Sequence, residues 1–553
     1  MKDALHLENV SYKYPGIKNW ILRDINLKIP QGSFFVIVGP SGSGKTTLVS
    51  LGRGFAQEWG GELRGKIFVD GEDTKKKSIA ELGKKIGLIF QNPALQLHQL
   101  RVIDEVMSAP MYQGLPYGEC QKRAKNLINR ILGKKFYYRL PTDLSSGEQQ
   151  KTALAASLSM KADILLLDEP FSFLDTKADQ EVLKIILDLH REGKTIVIAT
   201  HDIEEVARYA TQMALMDKGK LILSGKPEEV LYSPKLEEIL TTPLSVKTAK
   251  ALVEKKKLKE KVLSWQDLLD KTTFKQSGFK SKSKKKEETI LSLENVSFTY
   301  PGTKRGLKEI NLKVNKTEIL GIVGANGSGK TTLAKLILGL LKPKIGKIEL
   351  SGEEITKLST SERAKKIGYV TQDPMDMFFE INIWDEVAAG PKFLKLSQPK
   401  ERAEKILKEL NLWQYREKHP DSISGGEKSL LGMADILVNE PEILLLDEPE
   451  FGLDPKNWHK ITGIIKDLRK KGKTIILITQ DLEITTFLCD RIVLMKEGEI
   501  LKIGSPKEVF TNFNLLKRAY LNSLPMFNLL SYVSDESLKS EEKFIEELTV
   551  ERR

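Results

Sequence analysis

Short apolar runs alternate with longer stretches of helical periodicity along most of this 553-residue chain. The runs FFVIV, ILLLD and TIVIAT are almost wholly apolar, which is typical of strands buried on both faces of a largely parallel sheet. The stretch EVLKIILDLHREGK repeats its apolar residues at helical spacing and ends in Gly193, a common residue after a helix C-terminus. This alternation predicts an α/β fold.

The same pattern occurs twice. LHLENVSYKYPG at residues 5–16 recurs as LSLENVSFTYPG at residues 291–302, and ILLLDEP begins at Ile164 and again at Ile443. Such a long internal repeat predicts two copies of one domain in tandem. We place the first domain at residues 1–245, a Lys-rich linker at 246–289, the second domain at 290–510 and a C-terminal extension at 511–553.

The positive charge of the chain is concentrated in the predicted linker. Residues 247–288 contain 14 lysines and six acidic residues, and so contribute +8 to a formal net charge of +12. A charge run of this kind favours a solvated linker. The alternative is a patch that binds nucleic acid or anionic lipid.

Other features of the composition indicate a protein without membrane spans or disulfides. No apolar run approaches the ~18 residues that a membrane-spanning helix needs. The N-terminal residues MKDALHLENV lack the apolar core of a signal peptide. Cys120 and Cys489 are the only cysteines and lie in different halves, which fits a reducing cytoplasm.

Each half contains a glycine-rich phosphate-binding loop between a predicted strand and a predicted helix. GPSGSGKT at residues 39–46 and GANGSGKT at residues 324–331 both fit G-x-x-x-x-G-K-[ST]. Glycines let backbone N–H groups approach phosphate closely, the Lys reaches the β and γ phosphates, and the Thr hydroxyl ligates Mg²⁺. The predicted ATP contacts are Gly39, Pro40, Ser41, Gly42, Ser43, Gly44, Lys45, Thr46 and Thr47, and Gly324, Ala325, Asn326, Gly327, Ser328, Gly329, Lys330, Thr331 and Thr332.

A pair of carboxylates follows the ILLL strand in each half. Asp168 stands at the end of the first such strand, where α/β folds place ligands, and can hold Mg²⁺ directly or through water. Glu169 follows it and can polarise an attacking water. Asp447 and Glu448 repeat the pair.

Together these motifs resemble the ABC ATPase family over nearly the whole chain. LSSGEQQ at residues 144–150 and ISGGEKS at residues 423–429 resemble the family signature, and SFLD at Ser172–Asp175 and FGLD at Phe451–Asp454 resemble its D-loop. The resemblance implies two domains, each with a mostly parallel core sheet, an antiparallel β subdomain and a helical subdomain. It further implies these site residues: Tyr14 and Tyr300 stacking on adenine; Ser145, Ser146, Gly147, Glu148, Ser424, Gly425, Gly426 and Glu427 as signature contacts; Gln91, Glu169, His201, Gln372, Glu448 and Gln480 as catalytic; and Thr46, Gln91, Asp168, Thr331, Gln372 and Asp447 at Mg²⁺.

Two residues depart from the family pattern. Ser146 stands where the signature usually has Gly, and Gln480 stands where the first half has His201. Family members pair their domains head to tail, so that the signature of one domain meets the phosphate loop of the other. An intramolecular pair of this kind places both departures in site two, the site containing Lys330. Site one, which contains Lys45, matches the family pattern throughout.

The segments after Gln91 and Gln372 indicate a branch of the family. FQNPALQLHQLRVIDEVMSAP and TQDPMDMFFEINIWDEVAAGP are similar to the ATPases of energy-coupling factor and cobalt or nickel importers. This resemblance implies integral membrane partners, namely a transmembrane scaffold and a substrate-binding component, and a peripheral location on the cytoplasmic face of the membrane. No nucleic acid is expected. Four acidic residues of the second segment can meet basic residues of a partner or form a solvated face: Asp376, Glu380, Asp385 and Glu386.

Two alternatives remain at this point. A soluble tandem ABC protein acting on ribosomes or nucleic acid is one, although such proteins usually carry Arg where Ile203 and Leu482 stand. A sugar-importer tandem ATPase is the other, although its second phosphate loop is typically degenerate whereas Lys330 and Thr331 are present here.

Overall fold

The computed structural model describes residues 2–172, 174, 176–275, 288–303, 305–548 and 550–551. The chain divides into two compact units. The first comprises Met1–Lys271 with Asp454–Lys456, and the second comprises Thr272–Leu453 with Asn457–Arg553.

The first unit contains two sheets and a group of helices. Its strands are β1 (Asp3–Lys13), β2 (Leu22–Pro30), β3 (Phe34–Val38), β4 (Glu62–Val69), β5 (Glu72–Asp73), β6 (Ile86–Ile89), β7 (Ile164–Asp168), β8 (Thr195–Thr200), β9 (Gln212–Asp217) and β10 (Lys220–Gly225). Its helices are α1 (Lys45–Gly52), α2 (Ala56–Trp59), α3 (Ile79–Lys85), α4 (Val102–Tyr112), α5 (Tyr117–Ile131), α6 (Ser146–Leu158), α7 (Thr176–Arg191), α8 (Pro227–Leu231), α9 (Pro234–Ile239), α10 (Leu244–Glu254) and α11 (Trp265–Lys271).

The second unit repeats this arrangement. Its strands are β11 (Thr273–Phe274), β12 (Thr289–Thr299), β13 (Gly306–Asn315), β14 (Ile319–Val323), β15 (Ile345–Leu350), β16 (Glu353–Glu354), β17 (Ile367–Val370), β18 (Ile443–Asp447), β19 (Thr474–Ile478), β20 (Arg491–Lys496), β21 (Glu499–Gly504) and β22 (Val550–Glu551). Its helices are α12 (Lys330–Ile337), α13 (Thr360–Ala364), α14 (Ile383–Phe393), α15 (Pro399–Glu409), α16 (Gly425–Leu437), α17 (Pro455–Lys470), α18 (Leu482–Leu488), α19 (Pro506–Phe510), α20 (Phe513–Arg518) and α21 (Glu541–Glu547).

The sheet orders confirm the predicted fold class. The larger sheets have the orders β10-β9-β3-β8-β7-β6 and β21-β20-β14-β19-β18-β17, in which every neighbouring pair except the β10–β9 and β21–β20 edges is parallel. Each unit also has a four-stranded antiparallel sheet, and a helical group of α4–α6 or α14–α16. The fully buried strands FFVIV and ILLLD lie on either side of β8 and run parallel to it, so the phosphate loop and the carboxylate pair follow the carboxyl ends of these two strands at the same edge of the sheet.

The described part of the Lys-rich segment differs from the solvated linker that its composition favours. Helices α10 and α11 fall within residues 244–271, and both present buried apolar side chains, including Leu252 and Trp265. The half-buried carboxylate of Glu204 joins them to the region after β8, because it accepts bonds from Ser245 Oγ at 2.7 Å and from the Trp265 N–H at 3.1 Å. This part of the segment is therefore folded onto the first unit, while residues 276–287 lie outside the described residues.

Burial of helix α10 is expected to stabilise the first unit. Leu252 is fully buried and its neighbour Val253 is 39% exposed. We expect Leu252→Ala to lower the free energy of unfolding of the first unit by about 2–5 kcal/mol. The matched control Val253→Ala is expected to change it by about 0.5 kcal/mol or less. Urea unfolding followed by tryptophan fluorescence measures both, and equal, small effects would contradict a packed α10.

The C-terminal extension also packs on the second unit. Phe510 and Phe527 stack with ring centroids 4.7 Å apart, and Phe487 meets Phe544 edge to face at 5.4 Å. The short helical turn Pro525–Tyr532 and helix α21 thereby cover apolar surface of this unit. The sequence did not predict that the C-terminal extension packs in this way. The domain boundaries given above remain predictions.

Candidate functional site

The glycines of the first phosphate loop are required by space and by backbone conformation. A Cβ on Gly39 would lie 2.4 Å from the carbonyl oxygen of Met216, which no side chain tolerates. Gly42 and Gly44 have φ of 76° and 98°, in the left-handed region that disfavours other residues. The loop follows β3 and turns into α1 at Lys45, whose buried Nζ donates to the carbonyl oxygen of Gly39 at 2.7 Å.

The second loop has the same geometry. A Cβ on Gly324 would lie 2.5 Å from the carbonyl oxygen of Met495, and Gly327 and Gly329 have φ of 77° and 105°. Lys330 Nζ donates to the carbonyl oxygen of Gly324 at 2.7 Å. Both loops therefore present backbone N–H groups at a helix N-terminus, an arrangement suited to a polyphosphate.

Asp168 has the properties of a cation ligand. Its side chain is 2% exposed, and within the described part of the chain its Oδ1 is buried without a hydrogen-bond partner. Burial raises the pKa of Asp168 to about 6, and the nearby Thr46 hydroxyl opposes this shift. An unpaired carboxylate oxygen beside a Thr hydroxyl fits the hard oxygen ligands that Mg²⁺ prefers.

Glu169 is held by the residues at the end of β8 and by the loop lysine. Its Oε1 lies 2.9 Å from His201 Nδ1 and 3.5 Å from Lys45 Nζ, and its Oε2 accepts a bond from Thr200 Oγ1 at 3.0 Å. Burial acts to raise the pKa of Glu169, but His201 and Lys45 outweigh it and lower that pKa below its usual value. Although burial acts to lower the pKa of His201, the bond to Glu169 raises it.

The carboxylate pair of the second half has different partners. Asp447 Oδ2 accepts a bond from the Tyr369 hydroxyl at 3.1 Å, and burial raises the pKa of Asp447. Glu448 accepts bonds from Gln480 Nε2 at 2.7 Å and from Gln372 Nε2 at 2.8 Å. The predicted catalytic residues Gln372, Glu448 and Gln480 are thus brought together in this half.

Gln480 is further tied to the second phosphate loop. Its Nε2 also donates to Asn326 Oδ1 at 3.0 Å, while its Oε1 is buried without a hydrogen-bond partner among the described residues. That oxygen can accept a hydrogen bond from water, but an amide cannot carry a proton as the imidazole of His201 can. In the first half, Gln91 makes no hydrogen bond to Glu169 within the described residues.

The two tyrosines predicted to stack on adenine lie beside the helices that follow the loops. The Tyr14 hydroxyl lies 3.0 Å from Thr47 Oγ1, and the Tyr300 hydroxyl lies 3.3 Å from Thr332 Oγ1. Both rings are half-buried, and Tyr14 also contacts Trp59 with ring centroids 5.2 Å apart. A base stacked on either ring would lie next to the phosphate loop of the same half.

The signature residues begin helices α6 and α16. Ser145 and Ser424 cap these helices through reciprocal bonds with Glu148 and Glu427, which leaves the remaining first-turn N–H groups available to an anion. Gly147 and Gly426 are required by lack of space. An added Cβ would lie 2.6 Å from Ala178 Cβ at Gly147 and 2.7 Å from Asn457 Cγ at Gly426.

Neighbouring signature positions are less constrained. A Cβ on Gly425 would have no atom nearer than 3.9 Å, so the serine at the equivalent position in the first half, Ser146, fits its own helix without strain. In the first predicted D-loop, Phe173 and Asp175 lie outside the described residues. Pairing of each signature with the loop of the other half remains a prediction.

Two residues near the second site were missed in the sequence. Tyr369 and Glu450 stand where the first half has Leu88 and Phe171. Tyr369 binds Asp447, and Glu450 accepts bonds from the Thr479 hydroxyl and, at 3.2 Å, from the Gln480 N–H. A position-by-position comparison of the repeats, looking for polar residues that replace apolar ones, would have found both.

Comparisons with known proteins agree with this geometry. A family model described as "ABC transporter" matches residues 22–172 and 307–450. A "Putative ABC transporter ATP-binding protein" of Methanosarcina mazei is 35% identical over 531 residues, covering 92% of this chain and 90% of the relative. A protein with the same description from Bacillus thuringiensis subsp. konkukian is 34% identical over 521 residues, covering 91% of this chain and 92% of the relative.

A similar solved structure is that of cbiO1 from Clostridium perfringens, described as part of the ABC transporter complex cbiONQ. It is 33% identical, covers 42% of this chain and 94% of its own, and has a TM-score of 0.39. Among the described residues, no helix has the length and apolar character needed to cross a membrane. The chain therefore belongs to the ABC transporter family, as an ATP-binding subunit that carries two ATPase domains.

Proposed function

We propose that this chain is the fused ATPase pair of an energy-coupling factor-type importer for a vitamin or a transition-metal ion. In this proposal it works at the cytoplasmic face of the membrane, and its two halves pair head to tail. ATP binding closes the halves, and hydrolysis with product release reopens them, so that the movement is passed to integral membrane partners.

The contacts within each half support the following proposed residue roles. Lys45 and Lys330 bind the β and γ phosphates within the glycine-rich loops, and Tyr14 and Tyr300 support the adenine. Thr46, Asp168 and Gln91 would hold Mg²⁺ in the first half, and Thr331, Asp447 and Gln372 would hold it in the second. When bound, Mg²⁺ supplies positive charge that neutralises the phosphate oxygens. Glu169 and Glu448 orient the attacking water and accept its proton.

The observation that carries the importer proposal is the surface that follows Gln91 and Gln372, the two glutamines that match the Q-loop of the family. Leu95 and Leu100 in the first half are 69% and 76% exposed, and Phe379 and Ile381 in the second are 75% and 81% exposed. Large apolar side chains concentrated on one short segment of each half favour a docking surface over a solvated loop. We call Leu95, Leu100, Phe379 and Ile381 the coupling residues.

A buried glutamate holds the backbone that presents these residues in each half. Glu105 Oε2 accepts bonds from the N–H groups of His98 and Gln99 at 2.8 Å each. Glu386 Oε2 accepts bonds from the N–H groups of Phe379 and Glu380 in the equivalent place. A preformed apolar surface of this kind suits a short amphipathic helix of a membrane subunit.

Two of the four acidic residues of the second segment have partners within the chain. Glu386 is buried beneath the segment, and Asp385 forms an ion pair with Lys400 at 2.5 Å. Asp376 and Glu380 remain exposed. The proposed contact with the membrane subunit is therefore mainly apolar, with acidic residues at its edge in the second half.

Fractionation tests the proposal. Expressed with the products of its neighbouring genes, the chain is expected to sediment with membranes and to be extracted by detergent as a complex with integral membrane proteins. Recovery with ribosomal RNA, and none at the membrane, would favour the soluble alternative. A sugar importer would be identified by the substrate that the complex transports.

A further inference from the structure

The second half has a carboxyl group where the first half has a phenyl ring. Glu450 follows Glu448 by two positions, and the equivalent residue after Glu169 is Phe171. Phe171 is 8% exposed and packs in the apolar core of the first unit. Glu450 instead directs a polar group toward the end of β19, where the segment Thr479–Gln480 begins.

Glu450 takes over contacts that belong to Glu169 in the first half. There, Glu169 Oε2 accepts bonds from Thr200 Oγ1 at 3.0 Å and from the His201 N–H at 3.3 Å. In the second half the equivalent donors, Thr479 Oγ1 and the Gln480 N–H, bind Glu450 Oε1. The segment after the strand is thus anchored by a different carboxyl group in each half.

This exchange leaves both oxygens of Glu448 available to other donors. One accepts a bond from Gln480 Nε2 at 2.7 Å and the other from Gln372 Nε2 at 2.8 Å. Gln372 is the glutamine that precedes the coupling residues of this half. Glu448 is therefore bonded directly to the segment proposed to contact the membrane partner.

The carboxyl of Glu450 fits this place best in its neutral form. Its Oε2 is buried without a hydrogen-bond partner among the described residues. Burial raises the pKa of Glu450 to about 8, and the negative charges of Asp481 and Glu448 act in the same direction, while the bond from Thr479 opposes them. A neutral carboxyl adds no second negative charge beside Glu448, and a glutamine amide has nearly the same shape.

We propose that Glu450 is a positioning residue of the second ATP site. It holds Thr479 and the Gln480 backbone so that the Gln480 amide reaches Glu448, and it frees Glu448 to bond with Gln372. The inference rests on the proposed role of Glu448 in activating water, and it does not depend on which importer branch the chain belongs to.

The test uses the full chain, in complex with its membrane subunits, in a Glu169→Gln background that reports turnover at the second site. Glu450→Ala is expected to lower kcat about tenfold or more with KM for ATP within about twofold, since misplacement of a reacting group acts on the chemical step. Glu450→Gln keeps the acceptor oxygen and is expected to retain at least about half of kcat. Where steady-state turnover is too slow, single-turnover hydrolysis is compared in the same order.

Three further variants keep the result interpretable. Phe171→Ala is the equivalent truncation in the first half and is expected to change second-site turnover by less than about twofold. Thr479→Val removes the hydroxyl donor with little change of shape and is expected to lower kcat as Glu450→Ala does, even if Glu450→Ala fails to fold. Equal losses from Glu450→Gln and Glu450→Ala, a rise in KM alone, or no loss would overturn the proposal. If adding Glu448→Gln to the Glu169→Gln background does not lower turnover, the proposed role of Glu448 in activating water is contradicted.

Discussion

Glu169→Gln is expected to abolish nearly all steady-state ATP hydrolysis, whereas Glu448→Gln should leave a substantial fraction. Glu169 is bonded to His201, which can position water and share a proton. Glu448 is bonded to two glutamine amides, which cannot take up or release a proton as an imidazole can. Loss of one well-placed polar contact in a transition state costs on the order of 3 kcal/mol, or a factor of ~100 in rate.

A second difference adds to the first under head-to-tail pairing. Ser146 would then face the phosphates held by Lys330, where glycine permits the closest backbone approach. Gln480→His alone is therefore not expected to restore the second site. His201→Gln, by contrast, gives the first site the amide of the second and is expected to lower its turnover strongly.

These variants are compared in the intact complex, by steady-state phosphate release. Binding of a fluorescent ATP analogue confirms that each carboxylate variant still binds nucleotide in both halves. Equal losses from Glu169→Gln and Glu448→Gln would show that the sites are tightly coupled and would leave their inequality without support. A larger loss from Glu448→Gln would contradict the prediction.

The parts of the site that the sequence predicted are those set by local backbone geometry. Gly39 and Gly42 have no alternative residue, the first because of space and the second because of φ, so the loop can be recognised from its letters alone. The strand ILLLD is buried at all five positions, and a short, continuous apolar run of this kind indicates a buried strand with Asp168 at its end.

The parts that the sequence did not predict depend on tertiary partners. Leu252 and Trp265 lie among lysines, and composition alone therefore favoured a solvated linker, although a few buried apolar residues suffice to fold two short helices onto a neighbour. Glu450 reads as an unremarkable acidic residue until the position of Thr479 is known. The sequence groups Glu386 with the acidic residues of its segment, but its side chain lies beneath that segment because it accepts bonds from two backbone N–H groups.

Ile381→Asp is expected to release the chain from its membrane complex. Ile381 is 81% exposed and is the most exposed of the coupling residues. If a helix of the membrane subunit covers it, the variant buries an unpaired carboxylate in an apolar contact. Truncation of a hot-spot residue at the centre of an interface costs about 2 kcal/mol or more, so a loss of affinity of about 30-fold or more is expected.

The chain offers a matched control in the same unit. Ile345 is 60% exposed and lies on β15 of the antiparallel sheet, away in sequence from the coupling residues, so Ile345→Asp makes the same chemical change at another exposed position. Affinity purification through a tagged membrane subunit measures the retained chain, and Leu100→Asp tests the first half in the same way. ATP binding by the isolated chain should be unchanged in all three variants, because none of these residues touches a phosphate loop. If the complex retains Ile381→Asp and Ile345→Asp equally, the proposed docking surface is contradicted. If the complex loses only Ile381→Asp and Leu100→Asp, the membrane contact lies on the segments that begin at Gln91 and Gln372.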